Sequence, residues 1–150
     1  MRRLRIVTVA VVVLTASACG GPVSPSRSEL ARAEARWASA GIASYTAESR
    51  IHCFCPGHLA VWTRLTIRNN QVVETEPLEP LPPGSFATPL GWQTVADLFD
   101  RIEELAEGQH IQSVAVQYDR ELGFPQQIVV TCRSNVADCG VTYEMRSVVR

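Results

Sequence analysis

The chain has 150 residues, 46% of them hydrophobic and 19% charged, with a formal net charge of -1. That length suffices for one domain with one core and little more. Phosphate binding needs concentrated cations, and no element carries a basic run, so nucleic acid is not expected as a partner. Apart from histidine every cationic side chain is Arg, which removes a catalytic lysine from consideration.

Met1-Arg-Arg-Leu-Arg is a short basic segment, and Ile6 to Leu14 is apolar apart from Thr8. A spanning helix needs ~20 apolar residues, so residues 1–18 read as a signal peptide and not as a membrane span. Thr15-Ala-Ser-Ala puts small residues directly before Cys19. This resembles a bacterial lipobox, with Ala16 where a Leu is usual, and it predicts a lipid on Cys19 as the new N-terminus. The alternative is an ordinary signal peptide cut after Ala18, with Cys19 incidental. A lipid would make the membrane the partner of the chain and place it on the extracytoplasmic side of the cell envelope. Residues 19–25, rich in Gly, Pro and Ser, then form a flexible tether to a body spanning 26–150.

Ser26 and Glu29 make a capping box, and Leu30, Ala33, Trp37 and Ala40 follow at helical spacing before Gly41, predicting a helix over about 27–40. From Tyr45 the period changes to two. Tyr45, Ala47, Ser49, Ile51, Cys53 and Cys55 share one face, and Thr46, Glu48, Arg50 and His52 the other. Pro56-Gly57 ends that strand. Val61, Thr63, Leu65 and Ile67 mark a second strand, and Asn69-Asn70 is turn chemistry leading into a third over 71–76. The proline-rich stretch from Pro77 to Gly91 reads as a surface loop.

A second capping box, Thr94 with Asp97, opens a helix whose apolar stripe is Val95, Leu98, Phe99, Ile102, Leu105 and Ala106, ending at Gly108. Val114, Val116 and Tyr118 alternate on a fourth strand. Asp119 to Pro125 is a turn in which Gly123 is free to become left-handed. Ile128, Val130 and Cys132 mark the fifth strand, and Cys139, Val141, Tyr143 and Met145 the sixth. The order predicts an α+β fold in which two αβββ halves form one antiparallel sheet with both helices on a single face.

The residues Trp37, Tyr45 and Cys53-Phe54-Cys55-Pro56, then Thr94-Val-Ala-Asp-Leu-Phe99, then Tyr118-Asp119 with Gly123-Phe124-Pro125, resemble the DUF6174 family in order and spacing. With the lipobox they look like its small bacterial envelope lipoproteins. The resemblance covers roughly Trp37 to Val148. It implies no known activity, no catalytic residue and no cofactor. Cys132 and Cys139 look like additions to its usual pattern.

Cysteine is the residue type whose placement invites chemistry. With Cys19 lipidated, four of the five cysteines remain, an even number in an oxidising compartment. Local pairs, Cys53 with Cys55 and Cys132 with Cys139, are preferred; bridges from the first strand to the last hairpin are the alternative. On a regular strand, residues two apart have Cα atoms ~7 Å apart, at the limit for a disulfide, and Pro56-Gly57 offers relief by ending the strand.

The sharper reading makes Cys53, Cys55 and His58 a thiol-redox or soft-metal site for copper or zinc. Alternation sends His52 to the opposite face, so only His58 in the loop joins the thiols easily. Nothing near them is evident to lower a thiol pKa.

Asp97, Asp100, Glu103, Glu104 and Glu107 look like the wet side of an amphipathic helix. Asp119, Glu121 and Asp138 offer oxygen ligands for calcium at no recognised loop spacing. No nucleophile elbow, phosphate loop or dinucleotide fingerprint is present, so an enzyme is not expected. Trp62, Phe86 and Trp92 form a partner surface if exposed, unless the proline-rich loop folds back over them. The reading that results is a non-catalytic binding or structural module of the envelope, for an unidentified envelope protein or small ligand.

Overall fold

The computed structural model describes residues 25–150. The expected signal peptide, Cys19 and all of the tether but Pro25 lie outside the described residues.

Helix α1 (Arg27–Ala40) starts where its cap dictates. The Ser26 hydroxyl accepts from the Glu29 N–H at 3.2 Å, and the Glu29 carboxylate accepts from the Ser26 N–H at 3.3 Å. Two N–H groups that the helix cannot satisfy internally thereby gain partners. Gly41 closes the helix in the left-handed region, at φ 62°. Leu30, Ala33 and Trp37 are buried, as their spacing predicts.

Strand β1 (Tyr45–His52) buries Tyr45, Ala47, Ser49 and Ile51 in strict alternation. Strands β2 (Thr63–Arg68) and β3 (Gln71–Pro77) form a hairpin around Asn69 and Asn70. Both asparagines have positive φ, 49° and 58°, the geometry of the two-residue turn that matches strand twist. Pro77 belongs to β3 and not to the loop. It fits because β3 is an edge strand, where one missing N–H need not break a ladder.

Helix α2 (Val95–Glu107) is capped in the same way by Thr94 and Asp97. It leads into β4 (Ile111–Tyr118), β5 (Pro125–Cys132) and β6 (Val141–Val149). Six strands make one sheet in the order β3-β2-β1-β6-β5-β4, with every pair antiparallel. The two αβββ halves thus meet along β1 and β6, the first strand of one half against the last strand of the other. The fold class is the expected α+β arrangement.

One core explains why the helices take the same face. Leu30, Ala33 and Trp37 of α1 join Val95, Leu98, Phe99 and Ile102 of α2 over Ala47, Leu65, Ile67, Val114, Ile128, Val130 and Met145 of the sheet. The helices lie side by side with opposite directions, since Arg27 and Leu30 share a groove with Ala106 and Glu107. Tyr45 ties the halves together: its phenol oxygen accepts from the Val95 N–H at 2.8 Å. Burial pushes the Tyr45 phenol up to about 12, and the bond from the Val95 N–H acts against that rise. Among the described residues, no helix is long and apolar enough to cross a membrane.

Candidate functional site

Sheet register gathers the cysteines at one end. His52, the last residue of β1, pairs with Thr142 of β6, and Val130 of β5 pairs with Val141. The segments after His52 and after Cys132, two residues beyond Val130, therefore leave the sheet at the same end. There the structure brings Cys53 and Cys55 to disulfide distance with their Cα atoms 5.1 Å apart, and Cys132 and Cys139 likewise at 6.1 Å. The first separation is below the regular-strand value because β1 ends at His52 and the cysteines sit in a bend. Both Cys53 and Cys55 are half-buried, while Phe54 between them is 90% exposed.

A single 3₁₀ turn, Gly57–Ala60, follows and is locked to the proline-rich loop. A β-carbon at Gly57 would lie 3.0 Å from the Ser85 hydroxyl and 3.2 Å from the Pro82 ring, so the two segments touch closely. His58 Nε2 lies 3.1 Å from the carbonyl oxygen of Leu90, and its ring meets Trp92 edge-on at 6.3 Å. The structure therefore turns His58 toward the loop and does not join it to the two thiols. Among the described residues, no three His, Cys, Asp or Glu side chains gather in a way that could hold a metal ion.

The aromatic residues divide. Trp92 is buried in the core beneath the loop, and Phe86 stays 72% exposed at its tip. Trp62 is on the sheet face away from the helices, but it is not bare. The Arg146 guanidinium lies 3.8 Å from its ring centroid and that of Arg50 4.5 Å. Glu48 bonds Arg146 at 2.8 Å, and Glu144 bonds Arg50 at 2.7 Å with His52 at 3.2 Å. Arg64 lies 2.7 Å from Glu76 and 3.8 Å from Glu48. Every charge on this strip has an opposite neighbour, so the uncovered face is a self-satisfied ionic ladder around one indole.

Carboxylates elsewhere do local work. Asp119 accepts from the N–H groups of Glu121 and Leu122, at 3.0 and 2.6 Å, which caps the β4–β5 turn. Between the helices a groove of about 570 Å³ is lined by Leu30, Ala31, Glu34, Ile102, Glu103 and Ala106. Burial raises the Glu34 pKa, helped by the negative charges of Glu103 and Asp100.

Sequence reasoning missed two features here. Leu90 is 79% exposed and belongs with Phe54 and Phe86. The available signal was charge: residues 53–63 and 80–96 contain no Asp, Glu or Arg. It also missed the arginines stacked on Trp62. Arg50 was legible as an outward residue of β1, but Arg146 reaches the ring only because β6 pairs with β1.

A model of a family described as of unknown function, DUF6174, matches residues 29–150. No curated protein and no solved structure matches the chain. The match takes in all six strands, α2 and all but the first two residues of α1, and the chain belongs to the DUF6174 family.

Proposed function

We propose that this chain is an exported, lipid-anchored protein of the cell envelope whose folded body is a non-catalytic binding or structural module. The observation that carries the reading is the use of cysteine. All cysteines among the described residues stand in disulfide-distance pairs, Cys53 with Cys55 and Cys132 with Cys139. Cys19 is left as the thiol that follows an exportable leader. Paired thiols suit an oxidising compartment, and a cysteine directly after small residues suits acylation. On this reading the described domain supplies a stable body, and the lipid supplies its location.

The test is Cys19→Ser expressed in the native host, followed by membrane fractionation. The parent protein should sediment with membranes and the variant should not. A variant that still sediments removes the anchor.

Thiol exchange or soft-metal binding at Cys53, Cys55 and His58 has one observation in its favour. The pair is half-buried at the surface beside an exposed Phe54. The bond from His58 to Leu90 weighs against a shared metal. Alkylation of Cys53 and Cys55 without prior reduction, or copper or zinc in the isolated protein, would favour this second reading.

A further inference from the structure

We propose that Phe54, Phe86 and Leu90 form a membrane-docking surface that seats this end of the domain on a lipid bilayer; this rests on the lipid anchor proposed above. The three side chains are 90%, 72% and 79% exposed. They belong to two segments packed on each other, through Gly57 against Pro82 and Ser85 and through His58 against the Leu90 carbonyl. Neither segment carries an Asp, Glu, Arg or Lys between 53 and 63 or between 80 and 96, in a chain that is 19% charged. Large apolar side chains exposed on neighbouring segments that lack Asp, Glu, Arg and Lys mark an interaction site.

The position of the anchor selects the bilayer as the occupant. Pro25 and Arg27 line one groove with Ala106 and Glu107 at the end of α2. Three residues after Gly108 the chain enters β4 at Ile111, which pairs with Cys132. Cys132 is at the end of the sheet where Cys53 leaves it. The body thus begins toward the end that carries the apolar loops. Residues 20–25 can extend at most ~25 Å between Cys19 and Ser26, so a lipid on Cys19 keeps that end close to the headgroups.

The other end exposes the smaller Val73 and Val149 singly, among polar turns. It carries the Arg68-Asn69-Asn70 hairpin and the Asp119-Arg120-Glu121 turn. Phe and Leu side chains on a closely packed mount suit the boundary between headgroups and acyl chains, and Arg133 and Asp138 lie in the neighbouring loop at the same end. The acyl group holds the protein; the loops orient it. The outward face of the sheet, with its ladder around Trp62, is then presented sideways to the periphery.

Full-length protein reconstituted into phosphatidylcholine–phosphatidylglycerol vesicles with brominated acyl chains tests this. Phe86→Trp places an indole at the proposed surface. Val149→Trp places one at the opposite end, where Val149 is 59% exposed and pairs with Thr46. Emission of the added indole is read as the difference from the parent protein. The proposal expects bromine to quench Phe86→Trp and to leave Val149→Trp unchanged. Adding Phe54→Ser and Leu90→Ser to Phe86→Trp should abolish the quenching while the far-ultraviolet spectrum is retained.

Intact mass of the same samples reads Cys19 independently. Acylated protein without quenching at position 86, or with quenching that survives the serine substitutions, overturns the docking surface and leaves the anchor standing. Unmodified Cys19 with quenching at position 86 overturns the anchor and supports the docking surface. Unmodified Cys19 without quenching overturns both.

Discussion

The Val95 N–H donates to the Tyr45 phenol oxygen at 2.8 Å, joining the first strand of one half of the sheet to the first turn of the other half's helix. Val95 is the first residue of α2, so its N–H has no partner within the helix. Tyr45→Phe leaves that buried donor alone and should cost about 1–3 kcal/mol. Tyr118→Phe is the control. The Tyr118 hydroxyl is buried without a hydrogen-bond partner among the described residues, so its removal should be neutral or slightly stabilising. Urea unfolding of the two variants should separate them clearly.

The same phenols predict an alkaline transition. Burial pushes Tyr45 and Tyr118 up from 10.0 to about 12. For each, the unfolded chain ionises first as pH rises. Stability is therefore fully present below pH 10 and is lost progressively as pH approaches about 12. Without lysine, no ammonium titrates in that window to confuse the result. Melting temperature should fall over this range, and less steeply in Tyr45→Phe. A flat profile would contradict the burial of both rings.

Much of this fold was legible because local signals agreed with one another. Both capping boxes, the period-two strands and Asn69-Asn70 each point to the element that forms. The joining of the halves was not legible, because the pairing of β1 with β6 depends on contacts almost a hundred residues apart in sequence. The surroundings of Trp62 were hidden for the same reason. Phe54 and Leu90 escaped notice because one apolar residue in a loop says little until a second loop packs beside it.

Two glycines with positive φ separate backbone strain from steric overlap. Gly41, at φ 62°, has nothing near where a β-carbon would stand, so Gly41→Ala should cost about 1 kcal/mol for the left-handed conformation alone. Gly123, at φ 84°, lies against α1, and a β-carbon there would overlap the carbonyl oxygen of Ala33. Gly123→Ala should cost about 3 kcal/mol or more, because the β4–β5 turn must lift from the helix. Equal losses in denaturant titrations would show that the turn does not bear on α1.

Trp62 organises the uncovered face. Replacing it with Leu keeps an apolar side chain but removes the ring beneath Arg50 and Arg146. The expected cost is about 1–2 kcal/mol, the scale of two partly exposed cation–π contacts. Trp62→Leu should cost less in an Arg50→Met or Arg146→Met background than in the parent, a coupling read from double-mutant cycles. Additive losses would mean that the stacking contributes nothing beyond packing.

The cysteine pairs should differ in what they contribute to stability. Cys132 and Cys139 are separated by seven positions in sequence, and Cys53 and Cys55 by two. A longer closed loop restrains the unfolded chain more, so losing the first pair should cost about 2 kcal/mol and losing the second about 1 kcal/mol. Thermal unfolding of the two double-serine variants checks the order.

The most direct test of the whole account is the intact mass of protein extracted from membranes without reductant and alkylated before analysis. The expected result is an acylated Cys19 and no alkylation at Cys53, Cys55, Cys132 or Cys139. An unmodified Cys19 would contradict the anchor, and free thiols at Cys53 and Cys55 would replace the inert module with a thiol-handling one.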